Sequence, residues 1–223
     1  MKLPVASHTF LNDWDNCPYK AYRKYIKKDL PKFVQTEAMK WGNEVHTAFE
    51  VRLKHGTPFP PTMAKYEMIA KPFAEMEAES EKMIGIKEDG TECDFFAKDV
   101  WLRGKIDTTV VKNDWAMIAD WKTGKPREDR SELEVHGVLL KAWIPSVTKI
   151  TAHYVWLQDM TIGKAHDVSD TEKKLADIRS TMNTVKNCME IEDFPKRPNP
   201  LCGGDWGSCP VTDCEFRRGP KGK

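Results

Sequence analysis

The sequence lacks the long apolar runs that would place it in a membrane, since no stretch approaches the ~20 consecutive apolar residues of a transmembrane helix. It also lacks the basic-then-apolar start of a signal peptide, an internal repeat and any low-complexity segment. An excess of one charge sign is missing too, because the formal net charge is only +1. We therefore expect a cytoplasmic globular protein that meets any highly charged partner through a local patch.

Cysteine is present but is not arranged as a disulfide framework. In a reducing compartment the six cysteines are better interpreted as candidates for metal or cluster ligation. The length of 223 residues suits one core with elaborations rather than two independent domains. A hydrophobic content of 40%, with eight tryptophans, supplies enough bulk for that core.

Apolar periodicity predicts the order of the elements. Helical spacing predicts helices over 7–27, 36–55, 61–83, 129–143 and 169–189. Short β-branched or aromatic runs predict an antiparallel meander over 95–102, 103–111 and 115–121, and one more strand over 149–157. The order is therefore helices, three strands, helix, strand, helix and a tail rich in Pro, Gly and Cys.

One predicted hairpin carries charged side chains that could take part in catalysis. Asn113 and Asp114 tolerate the positive φ of a tight turn, so we centre the hairpin there. That centre places Asp107 opposite Asp120, with their Cβ atoms about 5 Å apart on one side of the sheet. Lys122 shares this side because it follows two residues after Asp120.

Two opposed carboxylates repel each other, so the predicted pair needs a counter-charge. Mg²⁺ or Mn²⁺ would supply one, since hard cations prefer oxygen ligands. Such an ion polarises a phosphodiester and activates bound water, and Lys122 would add a fixed positive charge. The alternative is a surface ion-pair cluster without chemistry, but the apolar residues flanking Asp107 and Asp120 argue against it.

Four blocks in a fixed order carry a family resemblance: GNEVH at 42–46, GKID at 104–107, DWKTG at 120–124 and a helix directly afterwards. Here the sequence resembles the RecB-like branch of the PD-(D/E)XK nuclease superfamily, which includes RecB and AddB nuclease domains, CRISPR adaptation nucleases and many phage exonucleases. The resemblance implies an α/β fold in α+β order with a restriction-endonuclease-like core. That core is a central mixed sheet with an antiparallel meander, flanked by helices and followed by a Cys-rich C-terminal tail.

The resemblance also implies a domain plan. It predicts a single nuclease domain over 1–223, with a helical N-terminal part at 1–90 and the nuclease core at 91–190. The Cys-rich tail at 195–223 would pack on the N-terminal helix.

The metal ligands are likewise implied by the resemblance. His46, Asp107 and Asp120 would bind Mg²⁺ or Mn²⁺ with the backbone carbonyl of Trp121, and Lys122 would be the catalytic lysine. Taken alone, a helical histidine such as His46 is more often a packing residue. Its place in a Gly-x-x-x-His block supports the ligand role.

The helix after the lysine strand departs from the family pattern. Relatives commonly carry Gln-x-x-x-Tyr there, whereas this sequence has Glu132 and His136. Both side chains form hydrogen bonds, so we include them among the candidate catalytic residues. The departure leaves open an altered activity.

The cysteines fall into an early and a late group. Relatives with one early and three late cysteines hold a 4Fe–4S cluster, and thiolates also bind structural Zn²⁺. Isolated thiols are the remaining alternative, because the late C-x₆-C-x₄-C spacing is wider than usual. Cys93 and Cys188 are assigned to packing. The candidate cluster ligands are Cys17, Cys202, Cys209 and Cys214.

A cluster of cations near the start of the chain is a candidate for contact with a DNA backbone. Helical spacing puts the four on one face, although a solvated surface is the common reason for such a pattern. In the predicted helix 7–27 these cations are Lys20, Arg23, Lys24 and Lys27.

These features predict a metal-dependent DNA exonuclease acting on ends or single strands, in DNA recombination, repair or replication. A phage or bacterial setting would suit it, by analogy. The alternatives are a non-catalytic DNA-binding or assembly subunit and a structure- or site-specific endonuclease. Because the sequence lacks a Gly-x-x-x-x-Gly-Lys-Ser/Thr motif, any helicase or recombinase partner would be a separate chain.

Overall fold

The computed structural model describes residues 2–31, 34–126, 129–203 and 209–218. Its contacts divide the chain into two compact units. We call Gln35–Ala176 the sheet unit, and Met1–Val34 with Asp177–Lys223 the terminal unit. These bounds differ from the predicted parts at 1–90, 91–190 and 195–223, and a single nuclease domain over the whole chain stays a prediction.

In the described residues four α-helices precede the first strand, one lies between two groups of strands, and one follows the last strand. The α-helices are α1 (His8–Asn16), α2 (Pro18–Ala21), α3 (Glu37–His55), α4 (Glu67–Glu75), α5 (Ser131–Trp143) and α6 (Thr171–Ile191). A π-helical segment lies at Tyr22–Lys27, and 3-10 turns lie at Pro61–Tyr66 and Pro200–Cys202. The strands are β1 (Glu79–Ile86), β2 (Glu92–Cys93), β3 (Leu102–Lys112), β4 (Trp115–Lys122), β5 (Lys149–Trp156), β6 (Thr161–Ile162) and β7 (His166–Asp167). Within the described residues, no helix combines the length and the apolar character that crossing a bilayer requires.

The strands form one mixed sheet in the order β2-β1-β3-β4-β5-β6, with β7 also paired to β5. β4 and β5 are parallel, and the other pairs are antiparallel. A parallel pair needs a crossover connection, and α5 provides it. The predicted mixed sheet flanked by helices is confirmed.

The β3–β4 hairpin has the predicted register. Asn113 adopts a φ of 56°, and the ladder runs from Lys112↔Trp115 to Thr108↔Ala119. Asn tolerates this left-handed backbone conformation better than most residues, which favours the turn at this position. The two strands are thereby fixed in the register that the sequence predicts.

Two predicted elements differ from the structure. The helix predicted over 61–83 ends at Glu75, and residues from Glu79 form β1 instead. The strand predicted over 95–102 consists mainly of turns, because Asp94 Oδ1 accepts a hydrogen bond from the backbone N–H of Phe96. The charged residues of β1 obscure its strand character, yet this strand supplies the antiparallel neighbour of β3.

The core of the sheet unit forms where α3 and α4 pack on the sheet. Phe49 of α3 and Phe73 of α4 meet Trp121 of β4 in this apolar cluster. α5 contacts β1, β3, β4 and β5, and contributes the fully buried Leu133 and Leu139. Helices and sheet therefore bury the strands that carry the candidate site.

The terminal unit is built from both ends of the chain. α1 begins where Ser7 Oγ accepts a hydrogen bond from the backbone N–H of Phe10, as a good N-cap does. Phe194 stacks on Tyr22 with a centroid distance of 4.0 Å. The late segment is joined to α1 where the Asn199 side chain donates a hydrogen bond to the Asn16 carbonyl at 2.9 Å.

Candidate active site

β4 presents its charged groups on one side and its tryptophan on the other. Trp121 is 1% exposed, stacked on Phe49 at 4.2 Å between ring centroids and meeting Phe73 edge-on at 5.1 Å. Because side chains alternate along a strand, this anchoring turns Asp120 and Lys122 to the opposite side. One buried ring thus orients two candidate catalytic groups.

The β3–β4 ladder stops at Asp107. Its carboxylate, rather than a backbone carbonyl, meets β4, and Oδ2 accepts a hydrogen bond from the backbone N–H of Trp121 at 2.9 Å. Regular pairing resumes only at Thr108↔Ala119. The register therefore puts Asp107 and Asp120 on neighbouring strands, but the regular pairing has ended at this point, and the second oxygen of Asp107 faces His46 of α3.

Asp107 and Asp120 are both buried, at 5% and 3% exposure. Burial alone would raise the pKa of Asp107, but its hydrogen bond with His46 and the charges of His46 and His136 hold that pKa below its ordinary value. Burial, and then the charge of Asp107, raise the pKa of Asp120 well above its ordinary value. Of these two carboxyl groups, Asp120 therefore has the higher pKa, and positive charge beside it favours its ionised form.

Lys122 lies between two acidic groups at the carboxyl end of β4. Its Nζ is 2.5 Å from Asp120 Oδ2 and 2.8 Å from Glu132 Oε2, and lies 5.3 Å from the centre of the Tyr154 ring. Burial would lower the pKa of Lys122, but the charges of Asp120 and Glu132 raise it above its ordinary value. The ammonium is therefore a fixed positive charge beside the carboxylates.

α3 brings His46 to the site from the other direction. His46 Nδ1 lies 3.3 Å from Asp107 Oδ1 and 3.7 Å from Glu81 Oε1. Burial would lower the pKa of His46, but hydrogen bonds and charges from Asp107 and Glu81 raise it to about 10. One ligand atom from each of these three residues lies within 4.8 Å of the others, a spacing at which a metal ion can be held.

The donor set suits a divalent cation. Both oxygens of Glu81 and Oδ2 of Asp120 are buried and accept no well-oriented hydrogen bond in the described part of the chain, although Lys105 and Lys122 pair with these carboxylates as cations. Buried carboxylates need positive charge nearby, and a metal ion would add to it. Among the described residues Asp120 is not part of the 4.8 Å group, and its Oδ2 pairs with Lys122 instead. The ligand set of His46, Asp107, Asp120 and the Trp121 carbonyl stays a prediction.

Glu81 is the site residue that the sequence prediction missed. It lies in β1, inside the segment predicted as helix, and is opposite Asp107 because its neighbours pair as Ser80↔Thr108 and Lys82↔Ile106. A sequence signal did exist, since the strand with Asp107 needs a neighbour on its second edge. The run Ile84-Gly85-Ile86 was available for that neighbour.

α5 places both of its candidate residues near the carboxylates. Glu132 pairs with Lys122, and the buried His136 lowers the pKa of Asp107 through its charge, after the larger effects of burial and of His46. Close packing is possible because Gly104 has no side chain: a Cβ there would lie 2.7 Å from Leu139 Cδ1. A catalytic role for Glu132 and His136 stays a prediction.

The cations near the start of the chain do not form an open stripe in the structure. Each is paired with a carboxylate, and a phosphate group would have to displace that partner. A DNA-binding role for the four therefore stays a prediction. The pairs are Lys20 and Lys24 with Asp13 at 2.6 and 2.7 Å, Arg23 with Asp29 and Asp213 at 2.6 and 2.9 Å, and Lys27 with Asp29 at 2.8 Å.

The four candidate cluster cysteines line a single pocket of the terminal unit. Cationic side chains of Lys20, Lys196 and Arg197 line the same pocket. In the described residues no three of these thiols come within 4.8 Å of one another. Cys93 and Cys188 are absent from its lining. The cysteines of the pocket are Cys17, Cys202, Cys209 and Cys214.

Comparison with known proteins agrees with the geometry of the sheet unit. The family model of the PD-(D/E)XK nuclease superfamily matches residues 59–217. Among solved structures, a protein from Eubacterium rectale named "Putative exonuclease" superposes with a TM-score of 0.56 at 13% identity, covering 87% of this chain and 84% of its own. SSO0001 superposes with a TM-score of 0.54 at 15% identity, covering 97% and 88%.

These identities establish a shared fold only, and no curated protein matches the sequence significantly. The family match, in contrast, spans most of the chain and includes β3, β4 and α5 with their candidate residues. The chain belongs to the PD-(D/E)XK nuclease superfamily.

Proposed function

We propose that this nuclease is a divalent-metal-dependent deoxyribonuclease that hydrolyses phosphodiester bonds from DNA ends. The observation that supports the proposal is that two buried carboxyl groups on neighbouring strands, Asp107 and Asp120, interact through their charges, with the ammonium of Lys122 beside Asp120 at the carboxyl end of β4, which is parallel to β5. Ligands of open sheets with parallel strands bind at such ends. A cation and a phosphate group would complete this arrangement of charges.

The bound ion would be Mg²⁺ or Mn²⁺, held by His46, Asp107, Asp120 and the Trp121 carbonyl. When bound, it would polarise the phosphodiester and lower the pKa of its water. The protein supplies the rest: Lys122 neutralises negative charge that develops on phosphate oxygens. The position of Lys122 is fixed by the 2.8 Å contact with Glu132.

The preference for ends is supported by the solved structure that carries the name exonuclease, and a setting in DNA recombination, repair or replication is part of the same proposal. Acting in such a process, the nuclease would work beside a separate helicase or recombinase. The fold alone does not separate end-dependent cleavage from internal cleavage.

The test is cleavage of end-labelled single- and double-stranded DNA, and of a covalently closed circle, with Mg²⁺ or Mn²⁺. We expect products from linear DNA only, and none after chelation or with Asp120→Ala. Cutting of the closed circle would replace the exonuclease by an endonuclease. No cleavage by the wild-type protein, combined with DNA binding, would instead indicate a non-catalytic subunit.

We also propose that the cysteine pocket binds a 4Fe–4S cluster. The support is the convergence of Cys17, Cys202, Cys209 and Cys214 on one pocket. Four cysteine thiolates are the ligands of a 4Fe–4S cluster, and they also suit a structural zinc site.

Anaerobic purification with iron analysis and visible absorbance tests the cluster. We expect stoichiometric iron, with visible absorbance that Cys209→Ser reduces. Cys188→Ser is the matched control, because this cysteine lies outside the pocket lining. Zinc without visible absorbance would favour a structural zinc site, and absence of both metals would leave free thiols.

A further inference from the structure

Glu81 faces the candidate metal ligands and is held by charged neighbours rather than by well-oriented hydrogen bonds. Its side chain is 4% exposed, and within the described residues Oε1 faces His46 and Oε2 pairs with Lys105. Oε1 lies 3.7 Å from His46 Nδ1. The register of β1 and β3 places Glu81 opposite Asp107, so the two carboxylates and one imidazole point to a shared space.

The backbone of Glu81 is also unusual. Its φ is 55°, in the left-handed region, although it lies inside a strand and is not glycine. Such conformations in non-glycine residues are costly, and they cluster where a side chain must be aimed. This geometry is consistent with a requirement for the carboxylate itself at this position.

The cation that balances Glu81 is Lys105 of β3, which forms an ion pair with Oε2. The two partners differ greatly in environment, because the Lys105 side chain is 48% exposed whereas that of Glu81 is 4% exposed. An exposed lysine regains its hydration when it withdraws, so it leaves a buried carboxylate more readily than a buried partner would. Lys105 is therefore suited to be a replaceable counter-ion.

We infer that Glu81 is a ligand of the divalent cation at His46 and Asp107, and that Lys105 is its counter-ion in the metal-free protein. The inference rests on the proposed function for the presence of that cation. The carboxylate oxygens of this donor set suit Mn²⁺ and Mg²⁺. Glu81 would add a third protein side chain at this position and release Lys105 when the ion binds.

The test is binding of Mn²⁺ to the metal-free protein, followed by electron paramagnetic resonance of free Mn²⁺ and by calorimetry. We expect Glu81→Gln to weaken Mn²⁺ binding about 10- to 100-fold, the range seen when groups around a metal are removed. Lys105→Gln should act in the opposite direction and tighten binding about two- to fivefold, the range expected for loss of one partly exposed ion pair. The opposite signs distinguish competition for one carboxylate from a general loss of structure.

Glu79→Gln is the matched control, because this exposed residue lies on the same strand and carries the same charge. It should leave Mn²⁺ affinity unchanged within about twofold, since a charge at the exposed end of β1 is screened by solvent. His46→Ala is the positive control and should lose the site. A similar weakening by Glu79→Gln and Glu81→Gln would replace ligation by a general field effect and reject the inference.

Wild-type affinity in Glu81→Gln, with loss in His46→Ala, would also reject it. If Glu81→Gln does not fold, the test rests on Lys105→Gln. Unchanged or weaker Mn²⁺ binding by Lys105→Gln would then overturn the assignment of Glu81 as a ligand. Failure of the proposed function has a different result: the wild-type protein would bind Mn²⁺ in the expected pattern and still leave DNA intact.

Discussion

Buried carboxylates occur in both units, but their surroundings differ. In the terminal unit Asp13 is 6% exposed and accepts hydrogen bonds from Lys20, Lys24 and Tyr25 at 2.6, 2.7 and 2.7 Å. In the sheet unit Asp120 is similarly buried, yet its Oδ2 has no hydrogen-bond partner among the described residues and has only an ion pair with Lys122.

The difference separates structural charges from functional ones. A buried carboxylate whose acceptors are all used is bound into the fold, and removing it costs stability. A buried carboxylate with unused oxygens keeps a binding capacity that the protein itself does not use. On this comparison we expect Asp13 to hold the terminal unit together, and Asp120 and Glu81 to keep oxygens that an ion could bind.

The largest expected effect is on activity. Asp120→Asn should lower the rate of DNA cleavage by about 10⁴-fold, as the loss of one member of a catalytic group does. The same change should leave the free energy of unfolding unchanged or raise it, because it removes the repulsion between Asp107 and Asp120. Single-turnover cleavage and urea unfolding of the metal-free protein measure the two quantities.

Asp159→Asn is the control for this prediction, since Asp159 is an exposed aspartate. It should change neither quantity appreciably. If Asp120→Asn loses as much free energy of unfolding as a substitution in the hydrophobic core, Asp120 has a structural role. It would then not differ from Asp13 in the way proposed here.

The next largest effect is on the stability of β4, the strand that carries Asp120 and Lys122. Trp121→Ala should lower the free energy of unfolding by about 3–5 kcal/mol, because it empties the stack between Phe49 and Phe73. Trp41→Ala is the control, because that ring is 38% exposed and its loss should cost below about 1 kcal/mol. Urea unfolding with intrinsic fluorescence measures both, and equal effects would remove Trp121 as the anchor of β4.

Metal addition should stabilise one unit only. Mn²⁺ at 100 times its dissociation constant should raise the stability of the sheet unit by about 2.7 kcal/mol, since it binds the folded state alone. Hydrogen exchange should then slow in β3, β4 and α3 and stay unchanged in α1. The effect should be absent in Asp107→Asn and retained in Asp13→Asn, whose acidic group has no unused oxygen.

The sequence predicts the register of the β3–β4 hairpin well because the information that determines it is local. Asn113 determines the position of the turn, and the alternation of side chains determines which residues of β4 share a side. These two local features are enough to predict that Asp107 lies opposite Asp120. His46 depended on family resemblance, since nothing in a helical histidine shows which strand it will meet. Its contact with Asp107 is a property of how α3 packs on the sheet.

The residue that the sequence prediction missed, and the pairing of the early cations, depend on partners far along the chain. Glu81 was hidden because its strand is rich in charge and resembles a helix. The predicted contact of the early cations with a DNA backbone stays a prediction, and the sequence does not show that Arg23 pairs with Asp213, almost a whole chain length away. Local patterns show which charges share a face, whereas the tertiary fold decides which of those charges are already paired.

The smallest of the four effects tests Asp13, the contrasting case. Burial alone would raise its pKa, but hydrogen bonds from Lys20, Lys24 and Tyr25 lower it below 3.8. A carboxyl with a lowered pKa stabilises the fold above its unfolded pKa, and this contribution is lost as the pH falls through the folded pKa. Asp13→Asn should therefore cost about 2 kcal/mol at neutral pH, within the range for a buried hydrogen-bonded charge.

That difference from the wild-type protein should shrink as the pH falls below about 4, where unfolded carboxylates take up protons. Urea unfolding at neutral and acidic pH measures it, with Asp15→Asn as the control, since Asp15 is exposed on the same helix. A cost that stays constant with pH would mean that packing, not charge, holds Asp13 in place. Asp13 would then no longer serve as the satisfied counterpart of Asp120, and unused oxygens alone would have to distinguish the functional carboxylates.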